Sequence, residues 1–283
     1  MEHLIKLDIT VPEEMQDLAT VALVSKLQYG WEEETLPTGD IRYRVYVENP
    51  AFCEEFLAEL RTFVPDAQVE RDEVENQNWA MAWREFFTPV KVGNLFMVIA
   101  PWMTEVDLEG RIPIVIEPKS AFGTGHHPTT ALCLGCVSKL AEEGRIREGM
   151  NFFDIGTGSG ILGIGCAKLG LKGLGVDIDT LAVENSEENR EINGVTPLFD
   201  VAKGSADYTD DTFDVVLANI LAQPLKDLAS DIIARVAAGG CLVLSGLLAT
   251  QADSVEEVYV AQGLPAARRE IEGEWAALIW ERL

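Results

Sequence analysis

Two rhythms of apolar and polar positions divide this 283-residue chain. In the first, short alternating runs and helical stripes follow one another. Residues 4–11 alternate as a strand, and Pro12-Glu13-Glu14 opens a helix to about Leu27 with Met15, Leu18, Ala19, Ala22 and Leu23 at helical spacing. Strands are expected at residues 30–36 and 41–47. A second helix starts at Asn49-Pro50 with Phe52, Phe56, Leu57 and Leu60 on one face, and a strand at 67–74 closes the set. The order βαββαβ predicts a small α+β module of ferredoxin-like type over residues 1–75.

Residues 76–118 read as a connector. A short aromatic helix carrying Trp79, Trp83, Phe86 and Phe87 ends at Thr88-Pro89, and strands at 90–100 and 111–116 bracket a loop. The second rhythm belongs to residues 119–283, where strand and helix patterns alternate steadily from Asn151. Strands are expected at 151–155, 172–177, 198–202, 213–218 and 241–245, and helices at 161–169, 181–193, 223–237 and 250–262. That alternation predicts a doubly wound, Rossmann-like α/β sheet. The tail departs from it, with strands at 266–271 and 275–281 joined by Glu272-Gly273-Glu274 and no helix between them.

The candidate chemistry sits where these patterns break. The apolar run Phe152-Phe153-Asp154-Ile155 stops in Gly156-Thr157-Gly158-Ser159-Gly160 and resumes as a helix. Glycines at every second position let a ligand lie against the main chain. Roughly 20 residues on, a second strand ends in Asp177, where a βαβ unit places a carboxylate for two ribose hydroxyls. Gly158-x-Gly160-x-x-Gly163 also satisfies the dinucleotide fingerprint, so spacing leaves open a dinucleotide, a nucleoside without phosphate, or a glycine turn that binds nothing. A dinucleotide needs the helix N-terminus aimed at its pyrophosphate. S-adenosylmethionine is cationic and has no phosphate, and Asp154 at the strand end suits it better. The antiparallel tail hairpin, the signature of methyltransferase sheets, weighs the same way.

Residues 119–130 form a second loop dense in donors. It contains Phe122, Gly123, Thr124, Gly125, His126, His127, Pro128, Thr129 and Thr130, and it reads as a lid over a ligand, with a plain helix cap as the alternative. Adjacent His126 and His127 rarely converge on one ion, and the remaining histidine, His3, belongs to the other module, so no metal is expected.

Composition narrows the partners. Forty-seven acidic against 22 basic residues give a net charge of -25, which repels phosphate backbones and anionic lipid and attracts cationic partners at low salt; it also serves plain solubility. Nucleic acid is therefore not expected as a direct partner. The five cysteines are odd in number and scattered, and Cys133-x-x-Cys136 lies in a buried helical pattern without a second ligand pair. No apolar run reaches 18 residues, and Met1-Glu2-His3 is not followed by a basic region and an apolar run. A cytoplasmic protein without membrane contact is expected.

The fourth strand ends Asp214-Val215-Val216-Leu217-Ala218-Asn219-Ile220-Leu221-Ala222-Gln223-Pro224. Together with the loop around His126-His127, the turn from Asp154 to Gly160, Val176-Asp177-Ile178-Asp179 and Leu244-Ser245-Gly246-Leu247-Leu248, it resembles the ribosomal protein methyltransferases of the PrmA type, which act on large-subunit protein eleven. The likeness is close over the connector and the α/β domain. In the first 75 residues it rests on element order alone, and there the family holds its protein substrate.

The resemblance implies a class I methyltransferase in which Thr130, Gly156, Asp177 and Asn219 contact S-adenosylmethionine. It also implies transfer of methyl groups to lysine side chains and/or the N-terminal amine of a basic ribosomal protein. The residues agree. Asp177 can accept from both ribose hydroxyls, the backbone from Gly156 through Gly158 to Gly160 admits the methionine end beside Asp154, and Phe122, Thr129 and Thr130 can close over it. Asn219 at a strand end is the candidate catalytic position, its amide oxygen and the Asn219 and Ile220 carbonyls accepting from an incoming amine. The alternative is that Asn219 caps the next helix. No residue stands out as a general base. Another protein or a small amine as acceptor, and a cofactor-sensing module without activity, are the rival readings.

Overall fold

The computed structural model describes residues 3–16, 18–19, 23, 31–47, 49–65, 67–75, 88–117 and 127–283. The chain divides into two compact units, Met1–Phe87 and Thr88–Leu283. The first contains β1 (His3–Val11), β2 (Glu32–Thr35), β3 (Ile41–Val47), helix α1 (Pro50–Phe63) and β4 (Gln68–Glu75). Its strands lie in the order β2-β3-β1-β4, every pair antiparallel, which is the ferredoxin-like arrangement.

Alternation along β3 explains the burial. Ile41, Tyr43, Val45 and Val47 point into a core shared with Ile5, Leu7, Ile9 and Val11 of β1, while Arg42 and Arg44 stay at the surface. Arg44 grips Asp8 with two hydrogen bonds of 2.7 and 3.3 Å, which holds that carboxyl below its ordinary range. Helix α1 starts where Asn49 accepts from the Ala51 and Phe52 amides, and it buries Cys53, Phe56, Leu57 and Leu60 on one face. Of the helix expected over residues 12–27, the described part begins as a 3₁₀ turn at Glu13–Met15, with Ala19 and Leu23 buried; much of the remainder lies outside the described residues, as does the aromatic segment 76–87.

The second unit opens with β5 (Val90–Val92), β6 (Phe96–Ile99) and β7 (Ile112–Val115), a three-stranded sheet. The single strand expected over 90–100 is broken at Gly93, whose φ of +54° turns the chain back on itself. Val92, Phe96, Val98, Ile114 and Ile116 pack into one core with helix α2 (Pro128–Glu142) and strand β8 (Asn151–Ile155). Residues 88–117, assigned to a connector on sequence, are thus part of the α/β body.

The large sheet continues with α3 (Ile161–Lys168), β9 (Lys172–Asp177), α4 (Thr180–Ile192), β10 (Phe199–Lys203) and β11 (Phe213–Asn219). After α5 (Ala222–Asp227) and α6 (Ala229–Ala234) come β12 (Val236–Leu248), α7 (Ala252–Ala261), β13 (Arg268–Glu272) and β14 (Trp275–Glu281). Strand order is β10-β9-β8-β11-β12-β14-β13, parallel except for β14, which runs against both neighbours. Each face of the sheet has its own core. Phe152, Val215, Leu217 and Val243 face one way, and Phe153, Ile155, Val216, Ala218, Leu242 and Leu244 the other. The chain winds outward through β9 and β10, then returns to the other side of β8 at β11, so the β8/β11 boundary is the switch point where open sheets bind ligands.

One expected helix differs. Residues 223–237 form two short helices, and β12 begins at Val236 because Val236 pairs with Phe213. Pairing in the sheet overrides the helical preference of Ala237-Ala238.

A ladder of asparagines ties β7 to the body. Asn193 accepts from the Val115 amide at 2.9 Å and donates to the Val115 carbonyl at 2.6 Å. One turn earlier, the fully buried Asn189 accepts from Glu117 N at 2.9 Å and donates to Ser159 O at 2.8 Å. Asn189→Ala removes a donor to the buried Ser159 carbonyl and the acceptor of the part-buried Glu117 amide, so the unfolding free energy is expected to fall by about 2 kcal/mol. Urea unfolding checks this; a loss below about 1 kcal/mol would mean other groups satisfy Glu117 and Ser159.

Candidate active site

A cleft of about 600 Å³ opens at the carboxyl ends of β8, β9, β11 and β12. Its floor is the glycine turn. Gly156, Gly158 and Gly160 all have positive φ, at +72°, +56° and +82°, and the Gly156 and Thr157 amides are anchored on Val176 O at 2.8 and 3.0 Å. Gly156 and Gly158 line the cleft. Gly160 has a different task, since a side chain there would collide with Ser186 Oγ, and one on Gly163 would meet the Phe199 ring. These two glycines let the turn and α3 pack against α4 and β10.

Asp154 is placed otherwise than expected. It is fully buried behind the turn, where Oδ2 accepts from Thr157 Oγ1 at 2.7 Å and from the Gly163 amide at 3.1 Å. A carboxylate thus already occupies the first turn of α3, the place a pyrophosphate would need, and a second anion there would be repelled. This separates the two readings of the glycine pattern. Burial pushes the Asp154 carboxyl up to about 6, against the lowering by Thr157 and Gly163.

That raised value has a consequence for stability. Below about pH 4 both folded and unfolded chains hold the proton. Between about pH 4 and 6 the unfolded chain releases it first, and stability falls by about 3 kcal/mol once both forms are ionised. Asp154→Asn keeps an acceptor for Thr157 and Gly163 with no charge to bury. Its stability relative to the parent is expected to rise through that window and level off above it; urea titrations at several pH values check this, and a difference that does not vary with pH would refute it.

Asp177 ends β9 on the cleft wall. Its Oδ2 accepts from Gly158 N at 2.9 Å and its Oδ1 from Asp179 N at 3.0 Å. Each oxygen retains a lone pair, so the carboxylate shapes the turn and can still accept from two hydroxyls. Beside it Ile178 is 74% exposed, an apolar surface left open at the mouth of the cleft.

The opposite wall is built by α2 and β11. His127 caps α2, its ring nitrogen lying 3.3 Å from the Thr129 amide and 2.8 Å from Thr129 Oγ1. His127 and Thr129 line the cleft; both threonines are fully buried, and Thr130, which is not on the lining, accepts from Asn219 Nδ2 at 3.3 Å through its hydroxyl. Phe122 lies outside the described residues.

Asn219 ends β11 on the cleft wall, and its Oδ1 is buried with no hydrogen-bond partner among the described residues. It does not cap the following helix, because α5 begins after Leu221 without a side-chain cap. Ile220 follows on the same wall.

Sequence reasoning did not find Trp275 or Leu221. Trp275 opens β14, pairs with Leu248 of β12, and presents its ring to His127 at 4.7 Å between centroids and 67° between planes. Leu221 is 72% exposed at the rim; its signal was an apolar residue directly after Asn219-Ile220. Elsewhere the cysteines are buried and unpaired, with burial holding Cys136 up to about 12. Among the described residues no helix is long and apolar enough to cross a membrane.

A doubly wound sheet with β14 inserted antiparallel, a carboxylate at the end of β9, and a glycine turn whose helix already holds its own anion define a class I S-adenosylmethionine-dependent methyltransferase. Comparison with known proteins refines this. The family model for ribosomal protein L11 methyltransferase (PrmA) matches residues 9–282, and the chain belongs to that family. A ribosomal protein L11 methyltransferase of Geobacter metallireducens is 40% identical over 209 residues, 74% of this chain and 67% of the relative. One from an Exiguobacterium species is 31% identical over 259 residues, 88% of this chain and 81% of the relative. The crystal structure of a ribosomal protein L11 methylase from Lactobacillus delbrueckii subsp. bulgaricus superposes with a TM-score of 0.60 at 27% identity, covering 70% of this chain and all of that one. The protein is a protein methyltransferase with S-adenosylmethionine as methyl donor.

Proposed function

We propose that the protein methylates amine nitrogens of ribosomal protein L11, on lysine side chains and/or the N-terminal amine. The observation that carries the reading is Asn219 at a strand end on the cleft wall, its Oδ1 buried and, among the described residues, without a hydrogen-bond partner. A buried amide oxygen without a donor gains from one that reaches it.

When bound, S-adenosylmethionine supplies an electrophilic methyl on a sulfonium with a good leaving group. The chain supplies placement. Asp177 accepts from the ribose hydroxyls, Gly156 and Gly158 admit the amino-acid end against the backbone, Thr129 adds a hydroxyl, and Ile178 offers its exposed face to the base. Asn219 Oδ1 and the adjoining carbonyls accept from the incoming amine and aim its lone pair. The amine must arrive neutral, and a lysine has an ordinary pKa of about 10.4. Ile220, Leu221 and Trp275 make that side of the cleft apolar, which disfavours the ammonium form.

The net charge of -25 suits a basic protein substrate and opposes nucleic acid. The ferredoxin-like unit is assigned to holding that substrate, and a ribosomal substrate is consistent with a cytoplasmic enzyme. Incubation of the protein with L11 and labelled S-adenosylmethionine, followed by mass spectrometry of the peptides, tests the proposal. Methyl groups on lysines or the N-terminal amine are expected, at a rate that rises with pH. Cofactor binding without labelling of L11 would overturn it, and labelling of a different protein would shift the acceptor.

A further inference from the structure

We propose that Gly246 is a positioning residue for methyl transfer. It clamps the Asn219-Ile220 turn from the side of β12, and the proposal rests on the role given above to Asn219. Strand β11 keeps its register with β8 as far as Ala218↔Ile155 and with β12 as far as Asn219↔Ser245. The next residue, Ile220, leaves the sheet between two glycines, Gly156 after β8 and Gly246 within β12, both with positive φ.

The two glycines hold Ile220 differently. At Gly156 an added Cβ would collide with Ile220 Cγ2, a side-chain atom. At Gly246 it would collide with the main chain of Ile220, with the carbonyl oxygen closest and C and N at 2.7 and 2.8 Å. A side chain can yield; the backbone that follows Asn219 cannot move without carrying Asn219 along. Gly246 also sits in the bulge where β12 and β14 lose register between Leu244 and Leu247, after which Leu248 pairs with Trp275. One glycine therefore fixes two walls of the cleft, the Asn219 carboxamide on one side and the Trp275 ring on the other. In the cofactor half of the cleft, Asp177 bonds Gly158 N and Asp179 N and, among the described residues, makes no hydrogen bond to the clamped turn.

The test separates placement from binding and from folding. Gly246→Ala is expected to keep affinity for S-adenosylhomocysteine within about 3-fold, read by calorimetry, while single-turnover methylation of L11 falls by about 100-fold, the cost typical of a misplacement near 1 Å. In an Ile220→Ala background the methylation defect of Gly156→Ala is expected to shrink without vanishing, because the obstructing Cγ2 is gone while the strain of a side chain at φ +72° stays, whereas that of Gly246→Ala is expected to persist in full. Rescue of both double variants, turnover of Gly246→Ala near the parent rate, or an equal fall in cofactor affinity would each overturn the proposal. Should Gly246→Ala not fold, Ser245→Ala decides, because it removes the 3.0 Å bond from Ser245 Oγ to the Ala276 carbonyl that ties the bulge to β14 and leaves the cleft lining intact: a drop of about 10-fold in turnover with unchanged cofactor affinity supports the clamp, and parental turnover refutes it. If Asn219→Ala turns over normally, the role of Asn219 falls and the clamp, which acts through it, falls with it. If the parent itself does not methylate L11, the proposed function fails first.

Discussion

Asp177→Ala is expected to weaken S-adenosylhomocysteine binding by at least about 100-fold. A carboxylate accepting from two ribose hydroxyls makes two charge-assisted hydrogen bonds, each of about 1.5–3 kcal/mol, and each 1.4 kcal/mol is tenfold in affinity. The same carboxylate holds Gly158 N and Asp179 N, so its loss also frees the floor of the cleft, which a ligand must then order. Asp177→Asn keeps one acceptor oxygen and is expected to fall between the parent and the alanine variant. Calorimetric titration with the product measures binding without turnover. A loss below about 5-fold for the alanine variant would mean that the ribose is not held at the end of β9.

The parts of the site that were legible in the sequence are those written in contiguous residues. Asp177 and Asn219 each end an apolar run, and the rule that open sheets bind ligands at the carboxyl ends of their strands puts both at one edge before any pairing is known. Gly156 and Gly158 are legible for the same reason, being the turn that ends β8. Asp154 was misplaced, although its signal was present. Alternation puts Phe152 and Asp154 on one face of β8 and Phe153 and Ile155 on the other, and the face of Phe152 is covered by α3. A carboxylate there meets the start of that helix, not the cleft.

What was not legible depends on pairing between distant segments. Trp275 reaches the cleft only because β14 inserts beside β12 and the bulge at Gly246 shifts their register. Thr129 and Thr130 are neighbours in one helix turn, and which of them faces the cleft is set by the angle at which α2 crosses the sheet. The early start of β12 has the same origin, since Val236 is a strand residue because Phe213 lies opposite. Much of the ferredoxin-like order of the first unit is readable from strand and helix periods, because β1, β3 and α1 each carry their own apolar face, whereas the short, exposed β2 does not.

Asn219→Ala is expected to lower the methylation rate of L11 by about 100-fold or more while leaving product affinity nearly unchanged, because it removes the acceptor proposed for the substrate amine. Loss of the bond to Thr130 Oγ1 adds a modest cost in stability, readable as a small shift in the unfolding midpoint. Asn219→Asp discriminates further. A carboxylate cannot donate to Thr130 as Asn219 Nδ2 does, but it can accept from a turned Thr130 hydroxyl and from the amine, so placement is largely kept, while its charge favours the ammonium form and raises the pKa of the bound amine. The rate of this variant is therefore expected to be low at neutral pH and to recover as the pH rises, its profile displaced upward by about one unit for each 1.4 kcal/mol of attraction. A profile that keeps the parental midpoint would show that the amine does not dock against residue 219, even if the alanine variant is slow. Slow alanine and displaced aspartate variants together would place the acceptor nitrogen at the end of β11, because only a group in contact with the reacting amine changes both the rate and the pH at which it appears.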